Sequence, residues 1–213
     1  MNQNFVFYVL FPKLNEVVFF GVESCHLIEL FESMLKKPEE IRTSTQLRSS
    51  NIRGLKANLV EKYSSLEHHI DNIMPKRCPV MEAKFKAPHN HLSFIYSDSE
   101  ILFVQDKNYI IPHLRVLHKY PFILKKMQID RGGIKHVVGG ANVMSPGLTS
   151  AGGHMEEAEA GEIVAIVAEG KQHALGIGVM LMNTQQIREE NKGIAIETLT
   201  YLLDGLWNCT PPS

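Results

Sequence analysis

From Ser49 onward the apolar positions change period several times, and each change marks an element. Ile52, Leu55 and Leu59 recur at helical spacing, which predicts a helix over 49–63. Leu66, Ile70 and Ile73 supply the next stripe, Ser64 and Glu67 stand at capping-box spacing, and Pro75 is a stop, so a second helix is expected between them. From Val80 the period drops to two. Segments 80–85, 92–96, 101–105 and 109–111 read as strands, parted by turn formers at Pro88, His89, Asn90, Ser97, Asp98, Ser99 and Asp106, and should form an antiparallel meander. Pro112 sits where a helix can open, with Leu114, Val116 and Leu117 facing inward.

After Gln128 the pattern becomes glycine-rich. Gly132, Gly133, Gly139, Gly140 and Gly147 suit a short helix followed by a tight turn into a strand. Segments 162–169 and 173–182 are strong strands joined around Gly170 and Lys171, with apolar residues on both faces, so the hairpin is expected inside a small barrel. Asn183 with Gln186 starts a short helix that Gly193 can stop, and 195–200 reads as a closing strand. The fold class expected is α+β: N-terminal helices with a small antiparallel sheet, then a compact, mostly β barrel.

Composition bounds the possibilities. With 213 residues, 44% apolar and 21% charged, the chain has the profile of a soluble globular protein of one or two domains, which excludes disorder and collagen-like architectures. No apolar run approaches the ~18 residues of a membrane span. The apolar N-terminus lacks a basic leader and breaks at Pro12, Lys13 and Glu16, a poor match to a secretory signal. Cys25, Cys78 and Cys209 stand far apart without a CxxC, so reduced thiols of an intracellular, cytoplasmic protein are expected in place of disulfides or a zinc finger.

The net charge of -1 hides an asymmetry. Residues 1–33 carry -3, residues 34–127 carry +7 and residues 128–213 carry -5. A basic middle and an acidic end imply two domains with different electrostatic roles, the basic one being the better phosphate-binding surface; two merely solvated faces are the competing reading.

Motifs for catalysis are missing: the chain has no GxSxG, HExxH, Walker loop or GxGxxG opening a βαβ unit. Gly176 and Gly178 lie within a strand and read as a bulge or a close backbone approach. His68, His69, His89 and His91 lack partners at ligand spacing, and Glu156, Glu157, Glu159 and Glu162 read as a solvated loop and strand entry. No metal or cofactor is implied. The segment GGANVMSPGLT differs in kind. Its small residues let a ligand approach the backbone closely, and exposed N–H groups there can hold a phosphate or a base edge. A plain barrel corner is the competing reading.

This segment also carries a resemblance. IDRGGIKHVVGGANVMSPGLT, followed by AGEIVAIVAEGKQHALGIGVMLM and NKGIAIET, resembles a PUA domain, an RNA-binding module. The longer run from about Met34 to Trp207, including RSSNIRGLKANL, LHKYPFIL and YLLDGLW, resembles the MCT-1 family of malignant T-cell-amplified sequence proteins. The resemblance implies residues 34–127 as a basic α+β N-terminal domain and residues 128–209 as a PUA pseudo-barrel, with residues 1–33 an extension lacking a family counterpart and peripheral to the fold.

It further implies a non-enzymatic translation factor. Such a factor acts with a SUI-domain partner, density-regulated protein, on the small (40S) ribosomal subunit in translation reinitiation and in post-termination tRNA release and ribosome recycling. The PUA contacts carried over to the acceptor end of tRNA are Gly140, Ala141, Asn142, Ser145, Pro146, Gly147, Leu148 and Thr149, with Lys171 added from the hairpin turn. An acidic PUA domain releases few counterions, so most phosphate affinity is expected from Arg48, Arg53, Lys56, Arg115, Lys119, Lys125 and Lys126. Two other readings remain: a protein-only adaptor with a PUA-like barrel, and the RNA-targeting part of an RNA-modifying enzyme.

Overall fold

The structure, a computed structural model, describes residues 41–85, 92–105 and 109–211. Residues 1–33, Cys25, His89 and His91 lie outside the described residues. The first half is a five-stranded antiparallel meander in sequence order: β1 Ile41–Gln46, β2 Val80–Phe85, β3 Ser93–Ser97, β4 Glu100–Gln105 and β5 Ile110–Pro112. Between β1 and β2 runs α1, Ser49–Lys62, which buries Leu59 and leans Ile52 and Leu55 on the core. A short α2, Ile70–Ile73, follows, and α3, Leu114–Lys119, comes after β5.

The expected second helix is broken in two. Ser64–Leu66 forms a 3₁₀ turn and only Ile70–Ile73 is α-helical; Ser64 makes no capping bond. The chain winds tightly here through bonds such as Glu67 N–H to Ser64 O (3.2 Å) and His69 N–H to Leu66 O (2.8 Å). Leu66, Ile70, Ile73 and Met74 are all buried in the core across this break.

The second half is a six-stranded sheet that curls into a half-barrel, in the order β7-β11-β10-β9-β6-β8. Its strands are β6 Lys126–Ile129, β7 Val143–Met144, β8 His154–Met155, β9 Ile163–Ala168, β10 Gly176–Met180 and β11 Ile194–Tyr201. β6 runs parallel to β9, and the other pairings are antiparallel. Helices α4 Ile134–Val138, α5 Ser145–Thr149, α6 Thr184–Glu190 and α7 Gly205–Asn208 close its ends. The capping box at Asn183 and Gln186 is fully formed, while Asn191, in the left-handed region at φ 45°, ends α6 ahead of Gly193.

The two apolar faces of the β9–β10 hairpin have different destinations. Val164, Ile166 and Ala168 fill the barrel interior with Met127, Ile129 and Ile196. Ile163, Ala165, Ile177 and Val179 face outward, into the core cluster that contains Phe94, Phe103 and Leu117 of the first half. The hairpin is a barrel wall covered from behind by the neighbouring sheet and helices, so one core runs through both halves. Gly176 and Gly178 permit this packing. A Cβ would stand 2.6 Å from Thr200 O at Gly176, and 2.5 Å from Ile196 Cγ2 at Gly178, beside a bulge in the ladder.

Candidate nucleic-acid interface

One edge of the half-barrel is built by the glycine-rich segment. Helix α4 closes in a Schellman motif: Ala141 N–H donates to His136 O (2.9 Å) and Gly140 N–H to Val137 O (2.9 Å). The motif requires a left-handed residue, and Gly140 supplies it at φ +81°. Gly140 also lets the chain rest on Tyr201, whose ring a Cβ would meet at 2.9 Å. The next two residues are strapped to β11, since Thr198 Oγ1 donates to Ala141 O (3.0 Å) and Thr198 N–H to Asn142 Oδ1 (3.1 Å).

Beyond β7, Pro146 and Gly147 are turn-forming residues. The chain instead forms the single helical turn α5, with Pro146 near its start where the missing N–H costs nothing. Ser145 is fully buried and donates its hydroxyl to Lys192 O (3.0 Å), and Leu148 is buried beneath it. Those two side chains support the segment from behind. Gly140, Ala141, Pro146 and Thr149 are exposed, with Asn142 and Gly147 half-buried. Thr149 hydrogen-bonds the Asn191 side chain, tying α5 to the end of α6.

Ala141, Asn142 and Gly147 help line a cavity of about 630 Å³, within the range of sites that enclose a nucleotide-sized ligand. Its walls also include Ile129, Val137, Val143, Met144 and Ile194, with Asp130, Gly132, Gly133 and His136 at the polar side. Met144 is exposed despite its size. Asp130 accepts from Gly133 N–H (2.9 Å) and Ser150 Oγ (3.1 Å), and Asn142 is held by Thr198, while the exposed His136 side chain has no hydrogen bond among the described residues. Such a groove suits a flat apolar-faced group such as a base, positioned by backbone and shape. Lys171, exposed on the hairpin turn, does not line it.

Asp130, His136, Met144, Ile194 and Tyr201 are additions that sequence reasoning missed. Tyr201 and Ile194 lie at least forty-five residues beyond the glycine segment, and β11, paired with β7, brings them there.

The basic side chains divide by their partners. Arg48 and Arg53, exposed at the start of α1, and Lys126 pair with no acid among the described residues. Lys56 is held by Asp71 (2.6 Å) and Met74 O (2.7 Å), and its ammonium lowers the Asp71 carboxyl below the usual range. Lys119 binds Glu100 (2.6 Å) and Lys125 binds Glu162 (2.7 Å). Arg115 lies 4.2 Å over the Trp207 ring and donates to Trp207 O (3.0 Å). It belongs to the junction between the halves.

That junction is polar as well as apolar. The His118 ring nitrogen lies 2.8 Å from Ala174 O and the His113 ring nitrogen 3.3 Å from Leu206 O. Burial lowers both imidazoles, His113 to about 4. Asp204 caps α7, accepting from Trp207 N–H (2.6 Å), Tyr201 N–H (2.8 Å) and the Thr200 hydroxyl.

The remaining candidates for chemistry are occupied structurally. Glu157 accepts from Thr184 and pairs with Arg188 (2.6 Å), interactions that lower its carboxyl, and Glu156 accepts from Lys126 N–H (3.1 Å). His69 packs on aromatic rings, His68 is exposed, and the described residues contain no cluster able to hold a metal ion. No helix among them is long and apolar enough to cross a membrane.

A half-barrel with a glycine-lined edge, joined to a meander-and-helix domain, defines a class. Residues 125–202 match the PUA domain and residues 35–121 the Pre-PUA-like domain. Two archaeal structures share the fold: a hypothetical protein from Pyrococcus horikoshii (TM-score 0.62, 23% identity, covering 78% of this chain and 98% of that one) and a conserved PUA domain protein from Thermoplasma acidophilum (TM-score 0.59, 15% identity, 79% and 100%).

Sequence relatives are more specific. Human malignant T-cell-amplified sequence 2 is 47% identical over 171 residues, 80% of this chain and 93% of the relative. The Drosophila melanogaster homolog of malignant T-cell-amplified sequence 1 is 44% identical over 183 residues, 84% of this chain and 99% of the relative. Translation machinery-associated protein 20 of Saccharomyces cerevisiae is 41% identical over 173 residues, 80% and 94%. The chain belongs to the MCT-1 family of malignant T-cell-amplified sequence proteins.

Proposed function

We propose that this chain is a non-enzymatic, cytoplasmic, RNA-binding factor of the translation machinery. In this reading it joins a SUI-domain partner, density-regulated protein, on the 40S subunit and acts in translation reinitiation, post-termination tRNA release and ribosome recycling. The observation that carries it is identity of 41–47% across both domains to malignant T-cell-amplified sequence proteins and to a translation machinery-associated protein. The open, mostly apolar groove beside the glycine-rich segment supports an acceptor-end contact made by shape and backbone. Arg48 and Arg53, paired with no acid among the described residues, support phosphate attraction by the first half.

The test is binding of the full chain, with and without the SUI-domain partner, to 40S subunits and to tRNA with intact or trimmed acceptor ends at two salt concentrations. The expected result is partner-enhanced, salt-sensitive 40S binding and loss of tRNA affinity on trimming. Binding of the partner alone, with neither RNA target engaged at low salt, would turn the reading toward a protein-only adaptor.

A further inference from the structure

A second surface stands apart from the glycine-rich edge, at the corner where the first half hands over to the second. The turn Tyr120-Pro121-Phe122-Ile123 is closed by Ile123 N–H donating to Tyr120 O (3.2 Å), and proline at its second position stiffens it. The turn displays Phe122, one of three large hydrophobic residues exposed among the described residues, at 42%. His69 comes up beside it from the tightly wound segment before β2. Its ring centroid is 4.7 Å from Phe122 and 5.9 Å from Tyr120, and the Tyr120 and Phe122 rings meet edge-on at 6.1 Å.

The three rings are mounted on fixed backbone. His69 N–H donates to Leu66 O (2.8 Å), its carbonyl accepts from Asn72 and Ile73, and Tyr120 N–H donates to Val116 O (2.9 Å). The residues between and around them are buried: Leu66, Ile70, Ile123 and Leu124. Phe122 is thus held out on a rigid support next to rings that orient it. Core packing alone does not require that arrangement.

The electrostatic setting favours one kind of occupant. Pro75 and Tyr120 share a small polar cleft of about 160 Å³, and exposed Lys76 and Arg77 follow Pro75 directly without an ion pair to a described acid. Lys119 also lines the cleft; its partner Glu100 is in an exposed pair, which a competing phosphate can displace at little cost. Asp71 is paired with Lys56; the other acids here are Asp98 and Glu100, which line the cleft, and Glu67 on the same segment as His69. An exposed ring stack with exposed cations close to it along the chain, Lys76 and Arg77 after Pro75 and Lys119 before Tyr120, matches the general design of single-stranded nucleic-acid platforms, in which a base stacks on an aromatic face and neighbouring phosphates meet lysine and arginine.

We infer that Phe122, backed by His69 and Tyr120, is a stacking platform for an unpaired nucleobase of single-stranded or looped RNA, with Lys76 and Arg77 meeting the adjacent phosphates. This is a second RNA contact, on the first half and separate from the acceptor-end groove. It extends the RNA-binding reading given above without depending on the glycine-rich edge.

The probes are a six-residue oligoadenylate, its abasic counterpart and intact tRNA, titrated into the full chain and into Phe122→Ala, Phe122→Trp and Lys76→Glu. The expected result is that Phe122→Ala weakens oligoadenylate binding about fivefold or more, the scale of one lost stacking contact. Phe122→Trp should retain binding, with its indole fluorescence quenched by oligoadenylate but not by the abasic strand, and Lys76→Glu should weaken both strands. The difference in tRNA affinity between intact and trimmed acceptor ends should persist in Phe122→Ala, which separates this surface from the groove. Equal affinity of the unaltered chain and Phe122→Ala for oligoadenylate, or equal affinity of the unaltered chain for abasic and base-bearing strands, would overturn the platform. So would loss of SUI-domain partner binding in Phe122→Ala and Phe122→Trp with oligoadenylate binding intact, which would assign the corner to a protein.

Discussion

The two halves share one core but shape their candidate surfaces by opposite means. In the first half the surface is made of side chains, cations and aromatic rings, standing on helices and turns whose backbone is ordinary. In the second half the surface is made of backbone: a Schellman turn at Gly140, a single helical turn at Ser145–Thr149, and glycines where carbonyls or rings press closely. The difference teaches where each half is vulnerable. A surface of side chains tolerates substitution structurally and changes its affinity, whereas a surface of close-packed backbone loses its shape when a single methyl group is added.

The largest expected effect tests the shared core. Ile177 sits on the second half's β10 yet is fully buried in the cluster that contains Phe103 and Leu117. Ile177→Ala should cost about 4 kcal/mol, and both halves should lose stability together in one denaturant transition. Two separated transitions in the unaltered protein would show that the halves are independent.

Glycine contrasts sharpen the comparison directly. At Gly153 a Cβ would lie 2.2 Å from Leu148 O, so Gly153→Ala must push the backbone of α5 and should cost about 3 kcal/mol while reshaping the groove. At Gly54, exposed within α1, a Cβ meets nothing within 4 Å, and Gly54→Ala should stabilise by about 1 kcal/mol. Paired melting curves of the two variants check both signs.

The junction gives a pH prediction. Burial holds the His113 imidazole at about 4, below its ordinary 6.5, so the folded protein binds fewer protons than the unfolded chain between those values. The stability due to keeping His113 neutral is therefore complete above pH 6.5 and is lost as pH falls through 4, by about 3 kcal/mol in all. Replacement by asparagine, which can still cap α3 through its side chain, should flatten urea-melt stability across that window. The smallest effect is at the edge of the second half: Asn183→Ala removes a complete capping box and should cost about 1 kcal/mol, measured by thermal unfolding.

Much of this architecture is legible in the sequence because local rules and tertiary packing agree there. The stripe of Ile52, Leu55 and Leu59 gives α1, the Asn183–Gln186 spacing gives α6, and glycines within a strand mark the bulge in β10. Legibility fails where long-range burial overrides a local signal. Ser64 and Glu67 have capping-box spacing, but the Ser64 side chain makes no cap bond and residues 64–66 close a 3₁₀ turn. The SPGLT turn pattern at Ser145–Thr149 hides a helical turn that Ser145 anchors through Lys192 and Gly193. In the candidate groove, the glycines and Asn142 stand out in sequence. Ile194, which lines it, and Tyr201, on which Gly140 rests, do not, since an aromatic or aliphatic residue in a closing strand looks like ordinary core. The partners of Lys56, Lys119 and Arg115 are likewise invisible before folding, each being fifteen or more residues away.

The central claim is a division of labour in RNA binding, with phosphate attraction on the first half and end recognition on the second. It is tested most directly by the salt dependence of tRNA binding, for intact and trimmed acceptor ends, in the unaltered chain and in Arg48→Glu/Arg53→Glu. The account predicts that the double charge reversal lowers the slope of log affinity against log salt by about 1 to 2, because each lost phosphate contact removes released counterions. The preference for the intact end should remain. An unchanged slope with the acceptor-end preference abolished would contradict the division and place the phosphate contacts elsewhere.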